Sequence, residues 1–537
     1  MSKATRNSVK LSLFTILSRI FGLIRDRYQA IFFGTGIVST AWEIAFMLPN
    51  MLRNLLAEGV LSQAFIPVYA DALKTSPAEA RRVAGIILSW VSLGMSFIVL
   101  GGILSFPYLI PLWLQNQSAE TVELTVSLSR VMFVFIATAS LTAVLAGIAN
   151  THEHFSLPAF SPILLNLVFI VGFIYIGRQD WTPEVNASRL AWVVVLGGVL
   201  QLMLQFFYVV WNGWTPVPGM SIRHPALRKI FSLMAPAVLG ASLFQINQLA
   251  DIAIASYFIP EETGAIPALR YAHRLMQLPT GMIGVALSTT ILPALAMAIR
   301  RGEEGESDEL ASALRFALFL TVPAAIGLLV LGEDILNLIY HGGLWNDEST
   351  NVTSTALFFY SLGVPAFSIN KILVSSYYAY SDTRTPMIAM VTTVILNLTL
   401  NLSLVQSMAQ GGIALSTSLS SMASIALLLY LLRYKKIQID GRGLWNFLLR
   451  SVVPWLGLGL VLWVLRVFDP QIRDYALSLF PGVSADHAAN VAAAGPVLLG
   501  VFGGGLTYLF LGRLVGLKEI GILMHYLPGR FRKVDRG

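Results

Sequence analysis

The 537-residue sequence contains no cysteine, which excludes disulfide bonds and a thiol nucleophile. Charged residues are also scarce. They make up 12% of the chain, which is about half the charged fraction of a typical soluble protein. Hydrophobic residues account for 55% of the chain, and its mean hydropathy is +0.70. This combination argues against a soluble globular protein and predicts one that is embedded in a membrane.

Apolar segments with alternating polarity, typical of a transmembrane β-barrel, are missing as well. The apolar runs are instead continuous and about 20 residues long, the length that an α-helix needs to cross the bilayer. Because lipid accommodates only structures that satisfy their own backbone hydrogen bonds, we predict an all-α polytopic membrane protein with about 14 transmembrane helices. The predicted spans lie near 11–33, 38–60, 82–105, 124–149, 158–177, 188–210, 230–258, 265–298, 310–331, 352–379, 386–406, 411–432, 446–466 and 491–514.

Basic residues are concentrated on one side of the predicted spans. If the N-terminus is inside, the outer loops receive little beyond Arg178, Arg189, Arg466 and Arg473, and most other basic residues lie in cytoplasmic loops. Cytoplasmic loops of membrane proteins carry an excess of Lys and Arg, so both termini are predicted to be cytoplasmic. The formal net charge of +7 then reflects these loops and gives no reason to expect a nucleic-acid partner.

The sequence also carries a weak internal repeat. The segment from Leu145 to Pro158 contains a helix end, a short polar turn and the proline that opens the next helix, and the segment from Leu373 to Pro386 has the same spacing. This offset lays the first six spans over the next six, which is typical of a parallel repeat in a transporter. We therefore predict an N-terminal six-helix lobe over 1–215, a C-terminal six-helix lobe over 216–440, and two additional helices with a basic tail over 441–537.

Several arginines lie inside predicted spans, where a guanidinium at mid-bilayer costs about 2.5–3.5 kcal/mol. The four singled out as candidates, among a larger number of arginines within the span bounds, are Arg19, Arg25, Arg53 and Arg274. Arginine suits the bidentate recognition of phosphate or carboxylate, and such transporters place substrates between their two halves. The hypothesis is that the four side chains converge there on an anionic substrate.

The alternative for these arginines is structural pairing within the protein. Arg25 has Asp26 and Glu43 as candidate partners, and Arg53 has Glu58. Glu58 is interpreted as a structural partner of the substrate site or as a gate residue.

A second group of polar residues has the composition of a Na⁺ site. Asp251 is the one carboxylate in the seventh predicted span, and Asn397 and Asn401 share a face of the eleventh at i, i+4 spacing. The Ile413 carbonyl and the Thr417 hydroxyl at the start of the twelfth span complete the candidate oxygen ligands. The alternative is that the asparagines bond neighbouring helices and that Asp251 is capped or protonated.

Signals for catalysis are missing from the sequence. No serine–histidine–acid arrangement and no metal-spaced cluster of His, Asp and Glu stands out. A membrane glycosyltransferase would need a carboxylate or histidine base and large outer loops, and the predicted loops are short. A drug exporter for cationic substrates is the nearest alternative. It would favour an acidic, aromatic cavity, and the buried arginines argue against one. The sequence therefore predicts a transporter and not an enzyme.

Several motifs have a recognisable combination and order. They are Ser18–Asp26, Leu48–Arg53, Ala57–Gly59, Ser62–Pro67, Phe155–Pro162, Met234–Ala237, Tyr271–Met276 and Gly284–Leu287. These motifs closely resemble those of the MurJ/MviN family, the bacterial lipid II flippases of the multidrug/oligosaccharidyl-lipid/polysaccharide exporter superfamily. The resemblance covers nearly the whole chain. The sequence departs from the family pattern at Thr40 and His273, where the family often has acids.

The resemblance implies movement of undecaprenyl-pyrophosphate-linked peptidoglycan precursor from the inner to the outer leaflet of the bacterial cytoplasmic membrane by alternating access. It implies that the four arginines line the substrate cavity and that the last two spans hold the lipid tail. Expected partners are lipid II, membrane lipids and the cell-wall synthesis machinery, with the protein acting as a monomer. No cofactor is expected, and coupling to Na⁺ or to the membrane potential is the expected energy source. Export of another lipid-linked oligosaccharide, or of drugs, is the alternative within this superfamily.

Overall fold

The computed structural model describes residues 3–54, 60–281, 306–433, 440–480, 482 and 485–526. Across these ranges the chain is built from helices joined by short turns, and nine of the described helices are long and apolar enough to cross a membrane. The prediction of an all-α polytopic membrane protein is therefore confirmed. The predicted number of 14 spans stays a prediction.

The chain divides into two compact units. The first comprises Met1–Pro267 together with Gly343–Trp345. Its helices are α1 (Lys3–Phe33), α2 (Ile37–Leu52), α3 (Ser62–Thr75), α4 (Pro77–Trp113), α5 (Ala119–Met132), α6 (Phe135–Thr151), α7 (Ser156–Ile176), α8 (Pro183–Trp211) and α9 (Pro225–Phe258). Within this unit α1 packs along α7, α2 packs on α5, and α9 packs on α3 and α4.

The second unit comprises Ala268–Gly342 and Asn346–Gly537. The chain enters it through α10, a helix over 265–281. The other helices are α11 (Glu306–Tyr340), α12 (Asp347–Ala379), α13 (Arg384–Leu432), α14 (Gly441–Val467), α15 (Asp469–Ser478), α16 (Ala485–Leu499), α17 (Gly505–Leu514) and α18 (Glu519–Tyr526). This division groups α9 with the first unit, whereas the repeat assigns the same segment to the second lobe. The predicted lobe boundaries stay a prediction.

Helix α13 contains two spans joined by a sharp break. An uninterrupted helix of its 49 residues would be about 74 Å long, more than twice the thickness of the hydrocarbon core. At Ala409 the backbone leaves the helical region, with φ 47° and ψ −130°, a conformation that is strained for a residue with a side chain. The break separates an arm that begins at Arg384 from an arm that ends at Leu432, as the predicted spans 386–406 and 411–432 require.

One end of the second unit is held by ion pairs around one fully buried carboxylate. Asp334 of α11 accepts a hydrogen bond from Nη1 of Arg466 at 3.2 Å and one from Nη2 of Arg473. Arg473 also donates from Nε to Asp469 at 2.9 Å. The network ties the end of α14 and the short helix α15 to α11, so α15 is positioned by charge as well as by apolar packing.

The fold requires glycine at position 85 of α4, because there is no room for a side chain. The backbone of the loop after α8 lies directly on it, and the Val217 amide donates to the Arg81 carbonyl at 3.0 Å. A Cβ at position 85 would overlap the Val217 carbonyl, whereas a Cβ at Gly94 of the same helix meets nothing within 4 Å.

We expect Gly85→Ala to lower the free energy of unfolding by about 1–3 kcal/mol, because backbone atoms cannot move aside as a flexible side chain can. Gly94→Ala is the matched control and is expected to be neutral or slightly stabilising, since alanine favours a helix. Thermal unfolding of the purified protein in one detergent measures both. Equal stability of the two variants would contradict the close approach at Gly85.

Candidate functional site

The first unit encloses a polar cavity of about 290 Å³ between α1, the end of α2, α6, α7 and α8. Two of the four predicted arginines, Arg25 and Arg53, lie on its wall. The remaining lining residues are small, apolar or neutral polar: Ser62, Ala139, Thr142, Ala143, Ala146, Pro158, Ser161, Pro162, Leu165, Asn166, Gln201 and Gln205. The cavity therefore places cations among hydrogen-bonding groups and small side chains.

Arg25 is held in one orientation from several sides. Its Nε and Nη2 donate to Oδ1 of Asp26 at 3.1 and 2.8 Å, and its Nη1 donates to Oδ1 of Asn166 at 3.1 Å. The guanidinium carbon lies 5.5 Å from the ring centroid of Phe169, a distance that permits a cation–π interaction. Asn166 is itself oriented by donating to the Ser18 carbonyl at 3.2 Å. Arg25 is thus both paired with an acid, as the structural alternative requires, and part of the cavity wall.

Arg53 is oriented by amides. Its Nε and Nη2 donate to Oδ1 of Asn50 at 3.2 and 3.0 Å, and Nη2 also donates to Oδ1 of Asn54 at 3.1 Å. These amide oxygens fix the direction of the guanidinium. Glu58, the predicted partner of Arg53, lies outside the described residues.

Arg19 is half-buried in α1 and does not line the cavity. It forms no hydrogen bond or ion pair with any residue that the structure describes. The helical period places it on the face of Asp26, at i, i+7 spacing, with the exposed Ile16 about one turn before it. Its assignment to the substrate site stays a prediction.

The family departure at Thr40 lies in a buried part of α2. Thr40 is 2% exposed, and the nearby acid Glu43 is also buried. Oε1 of Glu43 accepts a hydrogen bond from Nε2 of Gln29 at 2.6 Å. The sequence suggested Asp26 and Glu43 as partners of Arg25. In the structure Asp26 accepts a hydrogen bond from Nη2 of Arg25, and Glu43 accepts one from Gln29.

Several polar residues of the cavity were not predicted. Gln205 is fully buried, and within the described chain neither atom of its amide has a hydrogen-bond partner; the same is true of Oγ of Ser161. An unpaired buried polar group costs about 1–3 kcal/mol, so these atoms are suited to a polar ligand or water in the cavity. Gln201 and Gln205 at i, i+4 spacing in an apolar span were the available sequence signal.

Arg274, the fourth predicted arginine, belongs to a cationic group in the second unit. Arg270 and Arg274 of α10 and Lys371 of α12 all lie within electrostatic range of His273. Nε2 of His273 lies 2.7 Å from Nε2 of Gln277. The sequence hypothesis overlooked Arg270 and Lys371. The predicted convergence of all four arginines stays a prediction.

Four of the five predicted Na⁺ ligands meet across the break in α13. Nδ2 of Asn397 donates to Oγ1 of Thr417 at 3.3 Å, and Nδ2 of Asn401 donates to Oδ1 of Asn397 at 3.0 Å. Oγ1 of Thr417 also donates to the Ile413 carbonyl at 3.0 Å. Asp251 belongs to the first unit, where Nδ2 of Asn247 donates to its Oδ2 at 3.4 Å. The first four residues form one polar cluster, and its role as an ion site stays a prediction.

A bundle of membrane-spanning helices with cations on the wall of an internal polar cavity defines a membrane transporter. Solved structures share this fold. The chain is similar to a structure titled "Lipid II flippase MurJ, inward closed conformation", with a TM-score of 0.75, 24% identity, and coverage of 94% of this chain and 98% of that one. It is also similar to an inward-facing multidrug resistance MATE family transporter of the MOP superfamily, with a TM-score of 0.68, 14% identity, and coverage of 80% and 98%.

Sequence comparison identifies the family. The family described as "Lipid II flippase MurJ" matches residues 29–480. The "Lipid II flippase MurJ" of Burkholderia cenocepacia is 30% identical over 474 residues, which cover 86% of this chain and 90% of that protein. The "Probable lipid II flippase MurJ" of Rickettsia prowazekii is 32% identical over 440 residues, with coverage of 81% and 85%. The chain belongs to the MurJ family of lipid II flippases, which are transporters and not enzymes.

Proposed function

We propose that this protein moves lipid II from the inner to the outer leaflet of the bacterial cytoplasmic membrane by alternating access. The observation that carries the proposal is family membership across residues 29–480, and the polar cavity with Arg25 and Arg53 on its wall supplies a physical basis. A pyrophosphate is too polar to cross hydrocarbon, whereas the prenyl chain can remain in lipid. Arginines form charge-assisted, often bidentate hydrogen bonds with phosphate groups.

We infer the orientation, the oligomeric state, the cellular role and the path of the lipid on the same basis. Both termini face the cytoplasm, as the distribution of basic loops favours. The protein acts as a monomer without a cofactor and supplies precursor to the cell-wall synthesis machinery, so its loss impairs cell shape. The lipid tail lies along the helices after residue 441. Opening between the two lobes admits the headgroup from the side, and movement of the lobes exposes it to the outer face.

The direct test is replacement of the resident flippase in a bacterium depleted of it. Expression of this chain is expected to restore growth and cell shape, and to restore the outward appearance of lipid II in an assay that detects only the outer leaflet. A reconstituted panel of undecaprenyl-pyrophosphate-linked oligosaccharides and cationic drugs measures specificity in the same membranes. Transport of the drugs alone, or of other oligosaccharides without lipid II, would overturn the proposal.

The membrane potential and a Na⁺ gradient are the proposed energy sources. A negative-inside potential favours outward movement of an anion by about 2.3 kcal/mol per charge per 100 mV. In this mechanism, Na⁺ bound by Asp251, Asn397, Asn401, Ile413 and Thr417 returns the empty carrier to its inward-facing state. Carboxylate, amide, hydroxyl and carbonyl oxygens are suitable ligands for a hard cation.

Removal of a Na⁺ ligand should raise the Na⁺ concentration needed for half-maximal transport. We expect an increase of about tenfold for Asn397→Ala and a larger one for Asp251→Ala, because the carboxylate supplies the only charge among the proposed ligands. Thr399→Val is the control, since Thr399 is exposed on the same arm of α13 and its hydroxyl bonds the Ile395 carbonyl. Reconstituted vesicles with defined ion gradients give the measurement. Wild-type transport that does not depend on Na⁺ or on the membrane potential would contradict this site. An equal increase in the half-maximal Na⁺ concentration in Thr399→Val would also contradict it.

A further inference from the structure

A second polar cavity, of about 590 Å³, opens in the second unit where the starts of α11 and α14 meet the turn between α17 and α18. It is separate from the cavity of Arg25 and Arg53 and shares no residue with it. Its polar lining includes Ser312, Arg315, Asn446, Arg450 and Lys518. The distribution of basic residues assigns this end of the helices to the cytoplasmic side.

Arg315 forms the inner part of this cavity and is already compensated. Its Nη1 lies 3.6 Å from Oδ2 of Asp440, and its Nε lies 3.4 Å from Oε1 of Glu519. Glu519 is only 5% exposed, so the pair is shielded from solvent. These contacts join α11, the start of α14 and α18, and they give the cavity a stable base.

The cations at the mouth are not compensated in this way. Arg450 and Lys518 are exposed, and neither forms an ion pair or hydrogen bond within the part of the chain that the structure describes. The guanidinium of Arg450 lies beside the α17–α18 turn, with its Nη1 3.8 Å from the position of a Cβ on Gly516. Glu309 is the only acid of the described lining that is not bonded to Arg315. The whole described lining has three cations and three acids, and the two cations that are not bonded to a described acid, Arg450 and Lys518, lie together at the mouth.

The cavity opens next to a surface suited to lipid chains. On α14, Trp445, Leu449 and Leu456 are 62%, 55% and 69% exposed. These three residues form a stripe along α14. Asn446 and Arg450 each follow a residue of the stripe by one position, so they lie about 100° around the helix from it. Tryptophan is enriched at the membrane–water interface. The polar mouth therefore lies at headgroup level beside an apolar path that leads into the bilayer.

We propose that this cavity binds the phosphate of an anionic membrane phospholipid, with Arg450 and Lys518 as its cationic ligands and Asn446 as a hydrogen-bond donor. Basic pockets between transmembrane helices on the cytoplasmic side are typical sites for such headgroups. The acyl chains lie on the exposed stripe of α14. The site fixes the arrangement of α11, α14 and α18, and its polar part is separate from the cavity of Arg25 and Arg53.

Lipid competition on the full-length purified protein tests the site. Native mass spectrometry compares retention of phosphatidylglycerol and phosphatidylcholine by the wild type, by Arg450→Ala/Lys518→Ala, and by the control Arg442→Ala/Arg513→Ala, whose exposed arginines lie at the same end but outside the cavity lining. At about 1 kcal/mol per basic residue, we expect the first variant to lose about 10- to 30-fold in phosphatidylglycerol affinity and the control to lose little. Unchanged binding in the first variant, or equal losses in both, would overturn the proposal.

A second measurement needs no substitution and separates a lipid from a soluble anion. Phosphatidylglycerol with a photoreactive headgroup is cross-linked to the wild-type protein, and the modified peptides are identified. Adducts within 442–450 or at Lys518, resistant to millimolar inorganic phosphate or glycerol phosphate, are the expected result. Adducts elsewhere, or complete displacement by inorganic phosphate, would overturn a phospholipid site here.

Discussion

Replacing Arg25 or Arg53 with alanine is expected to abolish growth of cells that depend on this protein as their lipid II flippase. Both guanidinium groups lie on the wall of the same polar cavity, and a hydrogen bond to a charged group contributes about 1.5–3 kcal/mol. Loss of one such contact lowers affinity for a pyrophosphate by roughly 10- to 150-fold. Outer-leaflet appearance of lipid II measures the effect. Arg178→Ala, which removes an exposed arginine between α7 and α8, is expected to leave transport unchanged.

The Arg25 variant needs an internal control because it removes the guanidinium that donates to Oδ1 of Asp26 at 2.8 Å. Arg25→Ala combined with Asp26→Asn removes the acid together with its partner. If substrate binding is the function of Arg25, the double variant regains thermal stability but stays inactive. If pairing with Asp26 is its only function, the double variant regains transport, which would remove Arg25 from the site. Lysine at either position is expected to restore part of the activity, because it keeps the charge but loses the bidentate geometry.

Asp334→Ala is expected to have the largest effect on stability, about 3 kcal/mol. The carboxylate is fully buried and lies between Arg466 and Arg473, so its removal leaves two guanidinium groups close together without the acid between them. Their partial exposure and their contacts with Glu333 and Asp469 keep the expected cost near the lower end of values for broken buried pairs.

Glu333→Ala is the matched control for Asp334. Glu333 pairs with the same Arg466 at 2.8 Å, but the side chains of Glu333 and Arg466 are each 40% exposed. Exposed ion pairs contribute about 0–1 kcal/mol. Thermal unfolding in detergent should therefore separate the two variants clearly. Equal stability of Asp334→Ala and Glu333→Ala would show that the buried carboxylate is not what holds α14 and α15 to α11.

Helix positions were largely predictable because a transmembrane span forms a continuous peak of hydropathy in the sequence. The predicted span 158–177 corresponds to Ser156–Ile176, and the predicted span 446–466 to Gly441–Val467. Ends differ where capping sets them: α4 begins at Pro77, because Oγ of Ser76 accepts from the Glu79 amide at 3.1 Å, and the apolar run begins only later. The sequence predicts two separate spans over 386–406 and 411–432, and the structure has a break between them at Ala409.

The polar lining of the cavity was only partly predictable. An arginine inside an apolar span is conspicuous, so Arg25 and Arg53 could be selected from the sequence alone. Asn166 and Gln205 are neutral and barely interrupt the apolar pattern of α7 and α8. Their importance depends on which face of each helix meets the cavity, and a span that is apolar all round does not reveal that face.

Composition, apolar run length and the order of motifs were enough to establish a polytopic helical transporter of the MurJ family, because the bilayer imposes helix length and tolerates charge only at a cost. Helix packing was needed to see that Arg25 is shared between Asp26, Asn166 and a cavity, and that Asn397 and Thr417 meet across a helix break. Hydropathy is a property of single segments, whereas such contacts depend on the rotation and register of neighbouring helices, which are set by side-chain packing.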